Sequence, residues 1–161
     1  MSLNLTFYFS SELAFFWKDC MQKMTTNNSG TPTRFGYEII RDHVLPSILG
    51  KNESEILYWA GKEVARKFPI FTTDEIPTFF IEAGWGDLTL EKLSKHEAFY
   101  KLTNDSFSLK IQERTFHLES GFIAEQYQKV NGVLTECFAE QNHKGEFVQF
   151  HVKWDLKMKM V

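Results

Sequence analysis

Along this chain the spacing of apolar residues changes period several times, and each change marks an element. Between Ser11 and Met24, Leu13, Phe16, Trp17, Cys20 and Met24 recur every three or four residues, with Glu12, Lys18, Asp19 and Lys23 elsewhere. That spacing predicts an amphipathic helix. The run Thr25 to Pro32 holds Thr, Asn, Ser, Gly and Pro, which interrupt regular structure and mark the one linker. Residues 1–32 therefore read as an N-terminal helix and linker, and residues 33–161 as a compact domain. From Arg34 to Leu49, Tyr37, Ile40, Val44 and Ile48 return at helical spacing, with Pro46 kinking the last turn and Gly50 ending it. Asn52-Glu53-Ser54-Glu55 resembles a capping box and opens a helix to Phe68, stopped by Pro69. The expected face is Ile56, Ala60, Val64 and Phe68, with small Gly61 and Ala65 alongside to let another backbone approach. Thr72 to Glu75 caps a third helix bearing Ile76, Phe79, Phe80 and Ala83, closed by Gly84.

After Trp85-Gly86 the period becomes two. Leu88 and Leu90 alternate with polar neighbours, and Ala98 to Leu102 reads as a second strand across a turn at Lys92 to Lys95. Asn104 to Arg114 fits neither period. Phe116 to Val130 is helical again through Phe116, Ser120, Ile123 and Tyr127, and Asn131-Gly132 stops it. Cys137 lies in a strand pattern, and Asn142 to Gly145 makes a hairpin turn. Val148, Phe150, Val152 and Trp154 then alternate with Gln149, His151 and Lys153, so one face is buried and the other wet. Helices, a strand pair, a helix and a second strand pair describe an α+β fold: an antiparallel sheet of about four strands covered by helices.

Length and charge narrow the class. A chain of 161 residues suits one core without disulfide staples. Its 18 Lys and Arg against 21 Asp and Glu include no basic block, which argues against nucleic-acid binding. Two cysteines, Cys20 and Cys137, in no metal-ligand spacing point to a reducing, cytoplasmic setting. The first residues lack the basic start of a secretory signal, and no stretch reaches the roughly 20 apolar residues of a membrane span. Sixteen Phe and four Trp must pack somewhere, which raises the question of a pocket.

Catalytic chemistry finds no support in the residues. His43, His96, His117, His143 and His151 lack partners at metal-binding spacing, so no metal site is expected. Around Ser120, Cys20 and Cys137 there is no nucleophile signature, and Cys137 reads as a small buried hydrophobe. Glu82, Asp87 and Glu91 are read as a solvated face. Gly84-Trp85-Gly86 has no preceding strand and no third glycine, so it is no phosphate loop. It reads as a helix stop with a packed indole, or one wall of a pocket.

Three blocks carry a resemblance: Tyr58 to Pro69 (YWAGKEVARKFP), Glu82 to Gly86 (EAGWG) and Leu118 to Gln126 (LESGFIAEQ). Together they resemble the bacterial YslB-like family of unknown function, in order and spacing, over about Phe35 to Asp155. More distantly, the glycine-bearing helix, the Gly-Trp-Gly turn and the His117 block followed by the Cys137 strand look like the vinyl-4-reductase domain. That domain shares its fold, the NO-signalling and Golgi-transport ligand-binding fold, with TRAPP vesicle-tethering subunits and haem nitric-oxide sensors. The resemblance implies a pocket between helices and sheet. Here it would be lined by Trp59, Gly61, Val64, Phe68 and Phe79, and by Trp85, His117, Phe122 and Cys137. The departures are specific. Phe68 to Thr73 lacks the cysteine that TRAPP subunits acylate, the Tyr-x-Ser-x-Arg haem signature is absent, and the vinyl-4-reductase cysteines are Phe116 and about Val148 here. No cofactor is expected.

Three functions follow. The first is a non-enzymatic domain holding a small apolar ligand, the second a solid-cored dimeric interaction module, and the third, ranked last because no acid, base or metal set is visible, an enzyme acting on an apolar substrate. A void of roughly 300 to 1,000 Å³ separates the first two. The consecutive Phe15, Phe16 and Trp17 spread over about 200° of a helix. One surface could not cover all three, so the first helix is expected to be wedged in a homodimer.

Overall fold

A computed structural model describes residues 34–103, 114–142, 144 and 146–160. The chain divides into two units, Met1–Tyr37 and Glu38–Val161, and of the first only residues 34–37 are described, as helix. The expected N-terminal helix, the segment of undecided period up to residue 113, and His143 and Gly145 of the last hairpin lie outside the described residues.

Helix α1 (Arg34–Glu38) gives way to a wide π turn (Ile39–Val44), then α2 (Leu45–Leu49), a 3-10 turn (Gly50–Asn52) and α3 (Glu53–Lys67). A second 3-10 turn (Thr73–Glu75) leads into α4 (Ile76–Glu82). The hairpin β1 (Asp87–Leu93) and β2 (Glu97–Thr103) follows, then α5 (His117–Asn131) and the hairpin β3 (Val133–Asn142) and β4 (Phe147–Lys159). The four strands form one antiparallel sheet in the order β1-β2-β4-β3. Alternation decides what each face meets: Ala98, Tyr100, Leu102, Val148, Phe150 and Val152 are all buried against the helices.

Several local expectations change in physical ways. The stretch 34–49 is not one regular helix, because the π turn adds a residue per winding and re-aims the helical turns after it. Its stripe of Ile40, Val44 and Ile48 is exposed, and Arg41 is the buried residue instead. The start of α3 has no side-chain cap from Asn52; Glu53 accepts the Thr115 hydroxyl. The buried stripe of α3 is shifted by one position from the expected face, to Leu57, Gly61 and Ala65. By contrast Thr72 and Glu75 form the reciprocal capping box that opens the next helix. Gly50, Gly84 and Gly132 take positive φ at the stops the spacing indicated.

Helix α5 is the central element, buried over the nine consecutive residues Glu119 to Tyr127. A helix enclosed on all sides must satisfy its polar groups internally. Glu119 pairs with Arg41 at 3.1 Å, and Arg41 also donates to the Thr115 carbonyl at 2.7 Å. Glu125 meets Arg66 at 2.9 Å, and Ser120 donates to Phe116. Gln126 donates to the Phe68 carbonyl and accepts from the Ile70 amide, so one amide side chain holds the chain leaving α3. Beside this network Asp42 takes both arms of Arg114 at 2.6 and 2.7 Å.

The α3 and α5 helices meet through their glycines. A Cβ on Gly61 would stand 2.0 Å from the Leu118 carbonyl oxygen, and one on Gly121 would stand 1.9 Å from that of Tyr58. Neither position has room for any side chain, so the two backbones touch at both points.

Candidate functional site

Where the glycines draw the helices together, the N-terminal halves of α3 and α5 leave a groove against β3. Its volume is about 380 Å³. From α3 come Ser54 and Tyr58, one turn apart, and Glu55 and Trp59, likewise one turn apart. The first turn of α5 supplies His117 and Ser120, and β3 supplies Glu136, Cys137, Phe138 and Ala139. Two large rings stand open at this site, Trp59 at 61% exposure and Phe138 at 63%.

Two polar side chains of the wall, Tyr58 and Glu136, are paired with each other. The Tyr58 hydroxyl donates to the Glu136 carboxylate beside the backbone of Cys137. Burial, and then the bond to Glu136, push that hydroxyl far above the ordinary tyrosine range, so it stays a donor. Lys62 continues the Ser54–Tyr58 stripe by one more turn. Its ammonium lies 3.6 Å from Glu136 and over two rings, 5.2 Å from the centre of Tyr58 and 5.5 Å from that of Trp59. Cys137 is buried, which drives its thiol well above the usual range, against a smaller opposing effect of the Ser120 hydroxyl. A thiol held protonated is a packing group, not a nucleophile. Among the described residues no group of three or more His, Cys, Asp or Glu side chains could hold a metal ion.

The residues picked out from the sequence divide into two places. Trp59, His117 and Cys137 line the groove. Phe79, Trp85 and Phe122 pack on one another instead, with Phe79 and Phe122 stacked at 4.2 Å and the Trp85 ring 5.4 Å from Phe122 and 5.5 Å from Phe79. Phe68 edges that cluster at 6.1 Å from Phe79, Gly61 is spent on the helix contact, and Val64 is half-buried. The sequence pattern does not mark Ser54, Glu55, Tyr58, Ser120, Glu136, Phe138 or Ala139 as lining the site. The signal available for the helix part was the second stripe Ser54, Tyr58 and Lys62, polar and aromatic, beside the core stripe. For the strand part nothing in the alternation distinguishes an edge from a centre.

Comparison with known proteins supplies a lineage and a fold. The family model described as "Protein of unknown function (DUF2507)" matches residues 34–153. The "Uncharacterized protein YslB" of Bacillus subtilis is 43% identical over 126 residues, which is 76% of this chain and 85% of that protein. Among solved structures, a vinyl-4-reductase family protein from Methanocaldococcus jannaschii superposes with a TM-score of 0.61 at 15% identity, covering 87% of this chain and 95% of that one. An unliganded Fe(II) H-NOX protein from K. algicida gives 0.54 at 12% identity, covering 80% and 77%. At such identities the likeness shows the shared fold alone. Among the described residues no helix is long and apolar enough to cross a membrane.

Proposed function

The chain belongs to the DUF2507 family, and we propose that its members bind a small apolar ligand in the groove between α3, α5 and β3, without catalysing a reaction on it. One observation carries the reading: a groove of about 380 Å³ presents the open rings of Trp59 and Phe138 while the Tyr58 hydroxyl and the Glu136 carboxylate are occupied with each other and with Lys62. That volume falls in the usual range for ligand sites of roughly 300 to 1,000 Å³. Apolar surface left open in this way gains free energy when it is covered, at about 25 cal/mol per Å². Nothing in the wall is arranged as an acid, base and nucleophile set, since the Cys137 thiol is held protonated and Tyr58 is tied to Glu136. A vinyl-4-reductase family protein and an H-NOX protein share the fold.

Native mass spectrometry of protein purified from its own host, followed by solvent extraction, tests the reading. A retained apolar mass that is lost on Trp59→Ala or Phe138→Ala supports it. An apo protein that also fails to enhance the fluorescence of anilinonaphthalene sulfonate sinks it.

A further inference from the structure

Successive residues of a strand point to opposite faces. A cavity on either face would therefore touch every second residue, yet the groove touches Glu136, Cys137, Phe138 and Ala139 in succession. It must lie along the edge of the sheet, where the backbone itself is the wall. The strand order agrees: β3 is terminal, with no further strand beside it among the described residues.

The direction of the edge groups can be worked out. Trp154 gives its amide to His96, on the β2 side of β4, so Trp154, Val152 and Phe150 bond toward β2 and the residues between them bond toward β3. Through the β3–β4 register, Glu136, Phe138 and Glu140 are the β3 residues bonded to β4. Thr135, Cys137, Ala139 and Gln141 thus turn their amides and carbonyls outward. Two of these donors already face side chains, Thr135 bonded to Gln128 at 3.3 Å and Cys137 beside the Tyr58 hydroxyl. The next in line, Ala139, faces the open part of the groove, and Gln141 follows about 7 Å further along.

We infer that the groove receives an extended peptide, which adds to β3 as a fifth strand and places an apolar side chain among Tyr58, Trp59 and His117. This deepens the proposed apolar site and rests on it. Outward-facing amides and carbonyls recognise another main chain. The charges select which main chain. Phe138 shares its face with Glu140 and with Glu136, which Tyr58, Lys62 and the cross-strand Lys153 already attend, so a strand laid beside β3 meets the Glu140 carboxylate on that face and apolar groups on the groove side. The matching partner sets a basic residue beside Glu140 and aliphatic residues toward the groove. A second copy of this chain does not fit: pairing β3 with itself through Ala139 sets Glu140 opposite its own copy, or diagonal to Glu136 and Glu140 of that copy. The far edge is built to refuse strands, since β1 carries a bulge between Leu90 and Lys92.

The test uses the full chain and a short capped peptide alternating lysine and valine, with a fluorescent label for anisotropy. Measurable binding below ~1 mM is expected, weaker at high salt. The same peptide methylated on alternate backbone nitrogens should lose about tenfold or more in affinity. So should the Ala139→Pro variant, which deletes only an outward donor and leaves the ladder to β4 intact. Glu140→Lys should weaken binding and flatten its salt dependence, and a glutamate–valine peptide should not bind. Absence of binding by the lysine–valine peptide overturns the inference. Equal binding by its methylated form overturns it too, as does unchanged affinity in a folded Ala139→Pro protein. Should that variant fail to fold, the methylated peptide interrogates the same bond on the unaltered chain. If every peptide arm fails while anilinonaphthalene sulfonate still binds at Trp59, this inference falls and the small-ligand reading stands.

Discussion

Two regions of this protein are rich in aromatic rings, and they use them in opposite ways. Under α4 the rings answer one another: Trp85 stands edge-on to Phe79, Phe80 and Phe122, and Phe80 and Phe116 each meet Phe150 on the sheet. Beside β3, Trp59 and Phe138 meet one ammonium and open space. The difference shows that a ring's role is set by whether a second element arrives to cover it. Trp85 follows a helix stop that drops it onto α5, whereas Trp59 lies off the stripe that α3 buries.

The sharpest way to test the contrast is to delete one indole from each side. Trp85→Ala should cost about 3–5 kcal/mol in urea unfolding, because it opens a cavity among rings that cannot collapse. Next comes Gly61→Leu, at the boundary between the regions. Overpacking commonly costs roughly 1–3 kcal/mol, but with the Leu118 carbonyl 2.0 Å from the new Cβ the loss should sit at or above the top of that range. A melt unchanged by this substitution would mean that α3 and α5 do not touch there. Trp59→Ala should change stability by no more than about 0.5 kcal/mol while abolishing dye binding. A larger loss would move Trp59 into the core and dissolve the comparison.

Smaller effects come from titration. Cys137 should react slowly with a thiol reagent in the folded protein and quickly once unfolded, since burial keeps the thiolate from forming until well above the usual thiol range. Fast native labelling would place the groove's inner wall in water. On the far face of the sheet the Glu97 carboxyl is held below its ordinary value, first by its hydrogen bond to His151 at 2.8 Å and, with burial opposing, by Lys92. Its folded value lies under its unfolded one. The contribution is therefore present above the ordinary glutamate range and lost as pH falls through the folded value. Glu97→Gln should flatten the acid limb through a small loss of stability at neutral pH, with stability below the folded value almost unchanged.

Much of this was legible in the amino-acid order. The strands β2 and β4 showed as alternation because one face of each is dry over its paired stretch, and Gly50, Gly84 and Gly132 marked their stops because only glycine takes those backbone angles freely. The periodicity of α3 points one position away from the face it buries. At that helix a crossing of glycines decides what is buried, and hydrophobicity does not register a glycine. The exposed stripe of Ile40, Val44 and Ile48 shows a related limit, since a π turn leaves no mark in residue type. For the site, Trp59, His117 and Cys137 could be named as residues of interest, while Glu136, Phe138 and Ala139 could not. Their common property is membership of the outermost strand, and strand order is settled by long-range pairing that a linear pattern does not carry.

The crossing of Gly61 and Gly121 has a consequence for how this sequence can drift. Most tight contacts are between side chains, so a larger group on one side can be accommodated by a smaller one on the other. Here each glycine faces a carbonyl, Leu118 on one side and Tyr58 on the other. Carbonyls are common to every residue type, and no exchange at position 118 or 58 removes them. A search for second-site revertants of Gly61→Ala should therefore yield no compensating change at the contact, only general stabilisers elsewhere, and the two positions should stay fixed independently rather than vary together.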